Sequence, residues 1–210
     1  MNMSTPTDIL NRLFQDIKPQ DKLYPKPESQ IQDIDSEEIL NSNIFNVMLN
    51  RRSQRKFENK EVENWKLDII FAAADTAPTA GGFQGFEIYH IKNDDIKIKL
   101  VIAANKQPYV NSPVVLVFCM NPSRVKMQFP SNILEKFSIQ DATLAAAYAQ
   151  LAAHSLGLSS IWIGMIDERE VMKAIGTDLI PSSILCIGYP KKILQPKSKR
   201  TLSELIHIIE

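Results

Sequence analysis

Little in this chain of 210 residues points to a metal, a nucleic acid or a membrane. Its two cysteines, Cys119 and Cys186, form no CxxC pair and no sequence cluster with histidine, so the usual zinc patterns are missing. Both lie in short apolar runs, at 114–120 and 184–187, and read as buried, inert thiols. The three histidines, His90, His154 and His207, stand far apart and suggest no triad. Lysine plus arginine (24) equals aspartate plus glutamate (24), so the whole-chain charge gives no support for a polyanionic partner. No run is long and apolar enough to cross a bilayer, and the N-terminus lacks a cationic-then-apolar pattern. The reading is cytoplasmic. No GxGxxG follows a strand, which argues against a Rossmann dinucleotide site, and there is no Walker A sequence. Internal repeats and low-complexity segments are absent too.

What remains is an ordinary globular composition, 44% apolar and 23% charged, long enough for one well-cored domain. Residues 1–34 read as an N-terminal arm: one short apolar-periodic segment, then Pro19, Pro25 and Pro27. The domain spans 35–210. Asp35 and Glu38 resemble a capping box, and Leu40, Ile44, Val47 and Met48 then make one helical face. Further helices are expected over 63–75 and 167–175. Residues 93–104 read as a helix, although Ile96-Lys97-Ile98-Lys99 also fits a strand period. The alanine-rich segment 139–156 is small and apolar almost all round, which predicts a helix with close neighbours on most sides, ended by Gly157. Strands are expected at 86–91, 114–120, 159–163 and 184–188. The fold class is α+β: a small, mostly antiparallel sheet covered by helices. Asn121-Pro122 and Phe129-Pro130 leave no room for two full helices between 121 and 138.

The chemistry-bearing stretch is Arg51-Arg52-Ser53-Gln54-Arg55-Lys56-Phe57, with four cations among seven side chains. Arginine forks match phosphate oxygens, and Ser53 adds a donor. An isolated stretch of this kind also fits a solvated basic helix end. Three more stretches follow it in order: Ala77-Pro78-Thr79-Ala80-Gly81-Gly82-Phe83-Gln84-Gly85-Phe86; Leu156-Gly157-Leu158-Ser159-Ser160-Ile161-Trp162-Ile163-Gly164; and Gly188-Tyr189-Pro190 with Pro196-Lys197-Ser198-Lys199-Arg200.

Taken together, and over about residues 36–210, these resemble the FMN-dependent nitroreductase family, whose pattern is RRSxRxF, AP(S/T)xxNxQPW, GLGSxWIG and GYP…PKxR. The resemblance implies a swapped homodimer with FMN at the interface, NAD(P)H as co-substrate and ping-pong transfer to nitroaromatic, quinone or similar small acceptors. By position, Arg51, Arg52 and Ser53 would grip the phosphate and ribityl end, with Lys197 and Lys199 returning to the phosphate. Arg55 would stand at the pyrimidine edge, joined by Asn105 and Gln107 in a loosely matching segment. Pro78, Thr79, Ala80 and Gln84 would come from the partner subunit. The amides of Gly164 and Met165 would face the flavin's redox edge. No side-chain acid or nucleophile is required, since the cofactor carries the chemistry.

The chain departs from the pattern at Gly82, in place of Asn, and at Gly85-Phe86, in place of Pro-Trp. Both changes predict a freer loop. Lys199 stands where Arg is more usual. The alternative within the same fold is a flavoprotein that is not a reductase, deiodinase-like or a flavin-binding regulatory protein without turnover. A nucleic-acid binder using 51–56 and 191–200 is disfavoured by the neutral charge and the missing modules.

Overall fold

The structure is a computed structural model that describes residues 44–195, 201 and 204–209. The expected arm at 1–34, the capping box at Asp35 and the two lysines Lys197 and Lys199 lie outside the described residues.

Four strands build the centre: β1 (Phe86–Ile91), β2 (Val114–Met120), β3 (Ser159–Ile163) and β4 (Pro181–Gly188). They form one sheet in the order β1-β2-β4-β3. Every pairing is antiparallel. β4 begins three residues before the predicted start, because Pro181 still faces Cys119 across the irregularity at Phe118/Cys119. All seven residues of β2 are buried. The reason is visible in the packing: Val114, Leu116 and Phe118 enter one apolar cluster, while Val115, Val117 and Cys119 enter the other. A strand covered on both faces has no use for alternating polar residues.

The helices are α1 (Ile44–Asn50), α2 (Asn64–Asp75), α3 (Asp94–Ala103), α4 (Ser131–Ser155) and α5 (Glu168–Ile175). α2 and α4 pack together over one sheet face, and α3 with α5 over the other. Local caps define several ends. Asn93 accepts a hydrogen bond from the Ile96 amide, which resolves 93–104 as a helix. Asp167 does the same for Glu170. α4 closes with Leu158 N–H to Ala153 C=O and Gly157 N–H to His154 C=O. The buried Lys66 ammonium adds a bond to the Leu156 carbonyl at 2.9 Å, a cation at a helix C-terminus.

Two expectations need correction. α4 starts at Ser131, eight residues before 139. Pro130 sits just outside the first turn, where a proline does not disturb the helix, and Ile133 and Leu134 already bond back to its carbonyl. Between β2 and α4 there is only a short 3-10 turn, Pro122–Arg124. Secondly, α4 is not enclosed on most sides in this chain. Ala142, Ala145, Ala146, Ala149 and Ala153 are buried, but Ile139, Leu144 and Tyr148 are exposed on the opposite face. Ile44 and Met48 of α1 are likewise exposed, and Val47 alone of the predicted apolar face is buried among its described residues.

Candidate functional site

The basic stretch begins where α1 ends: Arg51 N–H closes the last turn on Val47 C=O. From there the chain is extended rather than helical. Ser53 makes a parallel bridge to Ser160 at the start of β3, and Phe57 an antiparallel bridge to Pro190 beyond β4. Three backbone bonds secure the run: Gln54 N–H to Ser160 C=O, Glu58 N–H to Tyr189 C=O, and Lys191 N–H to Lys56 C=O. The cations are therefore laid across two strand ends by main-chain pairing.

Gln54 was an unspecified position in the motif, yet it is 4% exposed. Its amide donates to Lys192 C=O at 2.7 Å and accepts from the amides of Arg55 and Lys56. It thus ties the basic stretch to the segment that leads toward 196–200. No local signal marks it, because its partner is 138 positions away.

Arg52 donates through Nη1 to the carbonyls of Leu49 and Arg51, at 2.6 and 2.7 Å, and so caps α1. Its Nε is buried without a partner. Burial, and then the neighbouring Arg52 charge, push the Arg51 guanidinium below its usual range. Among the described residues neither arginine pairs with a carboxylate; the ion pairs there are Lys97–Asp94 and Arg124–Glu87. His154 on α4 feels the same field. Burial lowers its pKa most, a backbone bond at Leu158 opposes, and Arg51 and Arg52 lower it further. Arg52, Gln54 and His154 share a cavity of about 360 Å³ with Pro190 and Lys192. Arg52 lines this cavity with its orphaned N–H, Arg51 adds a second positive field, and neither has a carboxylate among the described residues, which favours an anion there.

Arg55 belongs to a different cavity, of about 770 Å³, with Lys56, Lys97 and Lys191. Its guanidinium lies 5.8 Å from the ring centroid of Tyr109. Gln107 opens the short turn Pro108–Val110 that carries Tyr109, after two left-handed residues, Asn105 and Lys106. Tyr109, two positions beyond Gln107, was not singled out from sequence.

The 77–85 loop lies elsewhere. Pro78, Thr79 and Ala80 border a cavity of about 760 Å³ with Ile139, Thr143 and Leu144 on the open face of α4. Thr79 Oγ1 accepts from Gln84 N–H, and the Gln84 side chain turns back to Asp75, 2.6 Å from its carboxylate. Asp141 of α4, unmarked in the sequence, reaches the amides of Ala80 and Gly85. Gly164 and Met165 follow β3, an edge strand of the sheet. The Trp162 indole covers Gly164 so closely that an added Cβ would lie 2.6 Å from the ring. Ser160 and Gly164 are four residues apart, roughly 13 Å along an extended strand. The basic stretch and these amides therefore mark opposite ends of β3, whereas residues 78–84 stand apart from both.

The two thiols are buried, and burial pushes each up to about 12, consistent with inert cysteines. Among the described residues no helix is long and apolar enough to cross a membrane.

A family model described as Nitroreductase family matches residues 48–189, more than half of the chain. The chain is 28% identical over 182 residues to an FMN reductase (NADPH) of Bacillus subtilis, covering 79% of this chain and 73% of that one. Among solved structures it is similar to B. megaterium NfrA1, at 28% identity and a TM-score of 0.72, with 79% and 73% of the two chains covered. An NADPH:FMN oxidoreductase of Vibrio harveyi, solved in complex with NAD+, superposes with a TM-score of 0.75 over 80% of this chain and 78% of that one. At 23% identity that likeness concerns the fold.

Proposed function

The chain belongs to the nitroreductase family, and on that premise we propose that it is an NAD(P)H-dependent FMN oxidoreductase that passes electrons to small acceptors, nitroaromatics and quinones among them, by a ping-pong course. The observation that carries this reading is the pair Arg51 and Arg52, half-buried and without a carboxylate among the described residues. The residues present fit FMN: a phosphate supplies the negative charge that this pair and the orphaned Arg52 Nε lack.

Bound FMN supplies the two-electron redox chemistry. The chain's part is binding and electrostatics. Arg51 and Ser53 take most of the phosphate load, because Arg52 already commits Nη1 to capping α1. By the family resemblance Lys197 and Lys199, outside the described residues, would join them. Arg55, held near Tyr109, supplies positive charge that favours negative charge at the pyrimidine edge, with Gln107 at the start of the turn that carries Tyr109. Gly164 and Met165 offer backbone amides at the far end of β3.

The protein acts as a homodimer in the cytoplasm. Ile139, Leu144 and Tyr148 on α4, with Ile44 and Met48 on α1, expose an apolar surface of the kind that stable interfaces bury. Pro78, Thr79 and Ala80 border that surface, so pairing along α4 carries them toward the partner's site, with Gln84 behind them.

Purified protein is tested for a yellow flavin spectrum, FMN stoichiometry, mass in solution, and NAD(P)H oxidation with and without a quinone or nitroarene. Bound FMN, a dimer and acceptor-dependent oxidation are expected. Protein that takes up no FMN overturns the reading; FMN without turnover makes the chain a flavin binder.

A further inference from the structure

The family pattern places a proline at the position of Gly85. Proline fixes φ and has no N–H, whereas glycine is the least restrained residue, which is why the sequence predicts a freer loop. The structure corrects that expectation. The Gly85 amide, a donor that proline lacks, gives its hydrogen to Asp141 Oδ2 at 3.0 Å. The Ala80 amide donates to Asp141 Oδ1 at 2.9 Å. One carboxylate, 2% exposed, thus holds both ends of the 80–85 segment on α4. Hydrogen bonds to an ionised acceptor are the strong kind. The position admits nothing larger than glycine without movement: a Cβ at 85 would lie 2.8 Å from both Ser138 Oγ and Val125 Cγ2, and 3.2 Å from Asp141 Oδ2. Between the clamped ends the loop closes on itself, with Gly82 and Phe83 bonding back to Thr79 and Ala80, and Gln84 N–H to Thr79 Oγ1.

We propose that Asp141 is a positioning residue: paired with Gly85, it clamps the 78–84 loop onto α4 and so presents Pro78, Thr79 and Ala80 to the cofactor site. The clamp replaces by hydrogen bonding the restraint that a proline at 85 imposes covalently. Its consequence for the cofactor rests on the proposed FMN reading; the clamp itself does not.

The test uses the full chain, purified with its cofactor, as parent, Asp141→Ala and Asp141→Asn. Amide hydrogen exchange is followed at Ala80 and Gly85 and, as an internal reference, at Leu116 and Leu185 in the central strands; FMN dissociation is timed in parallel. In Asp141→Ala the two loop amides exchange about tenfold faster or more while the strand amides keep their rates, and FMN leaves faster by a comparable factor. Asp141→Asn, which keeps one acceptor oxygen, falls between parent and Ala on both measures, and if the Ala variant folds poorly the faster loop exchange of Asn than parent, at unchanged strand rates, still reads the clamp. Loop exchange that is unchanged, or loop and strand amides that accelerate together, overturns the clamp. Faster loop exchange with unaltered FMN dissociation overturns its role at the cofactor. A parent that takes up no FMN overturns the proposed function, and the exchange data then decide the clamp alone.

Discussion

The basic stretch at 51–57 and the loop at 77–85 are both irregular chain next to a helix, and they are held by opposite means. The first is rich in charge, yet neutral groups hold it: backbone bonds with Ser160, Tyr189 and Lys191, and the buried amide of Gln54. The second carries no charged side chain of its own, yet a carboxylate holds it. Cations that are to grip an incoming anion cannot also be satisfied by the scaffold, so the scaffold must act through uncharged groups. A loop that offers backbone and small side chains is free to be fixed by the strongest bond at hand.

The comparison is broken most severely at Gln54. Gln54→Ala leaves the Lys192 carbonyl and two amides without their partner, and is expected to destabilise the fold by about 2–3 kcal/mol. A urea midpoint that stays in place would show that main-chain pairing alone seats the stretch. FMN affinity should fall with it, since the segment leading to Lys197 is released.

The arginines sharpen the contrast. Arg51→Ala should weaken FMN binding by about 1.5–3 kcal/mol, read by titration, with no loss of stability in the cofactor-free protein. Removing it relieves a half-buried like-charge contact with Arg52. Arg52→Ala should lower both quantities, because its Nη1 caps α1. If the two variants behave alike, the cations are not held in reserve.

On the loop side, Gly85→Ala should cost about 1–2 kcal/mol by thermal unfolding, through the close approach to Val125 and Ser138. An unchanged melting temperature would mean that the loop gives way easily and the clamp is loose.

The smallest effect is electrostatic. Burial and the two arginines depress the pKa of His154, and burial with Lys92 and Lys97 depresses that of His90. A histidine with a lowered folded pKa binds fewer protons folded than unfolded. Its contribution is therefore fully present above the unfolded pKa of about 6.5 and is lost as pH falls below it. Stability should decline from pH 7 toward 5. Bound inorganic phosphate at Arg51 and Arg52 should raise the His154 pKa in an NMR titration while leaving His90 in place; equal shifts at both would remove the anion from that cavity.

Much of this protein was legible locally. Apolar runs and helical periodicity predicted strands and helices, since both depend on neighbours a few residues apart, and the structure adds local caps at Asn93 and Asp167. The cationic stretch and its three companion segments pointed to the family for the same reason: each is a continuous string. Tertiary structure decided the rest. Gln54 matters through Lys192, Lys66 through Leu156, and Asp141 through Ala80 and Gly85. In each case a buried polar group must find a partner far along the chain, and desolvation makes that pairing obligatory. A glycine in place of proline looked like freedom in the sequence; packed beneath a buried carboxylate it became a fixed point, because the amide that glycine retains was the donor the carboxylate needed.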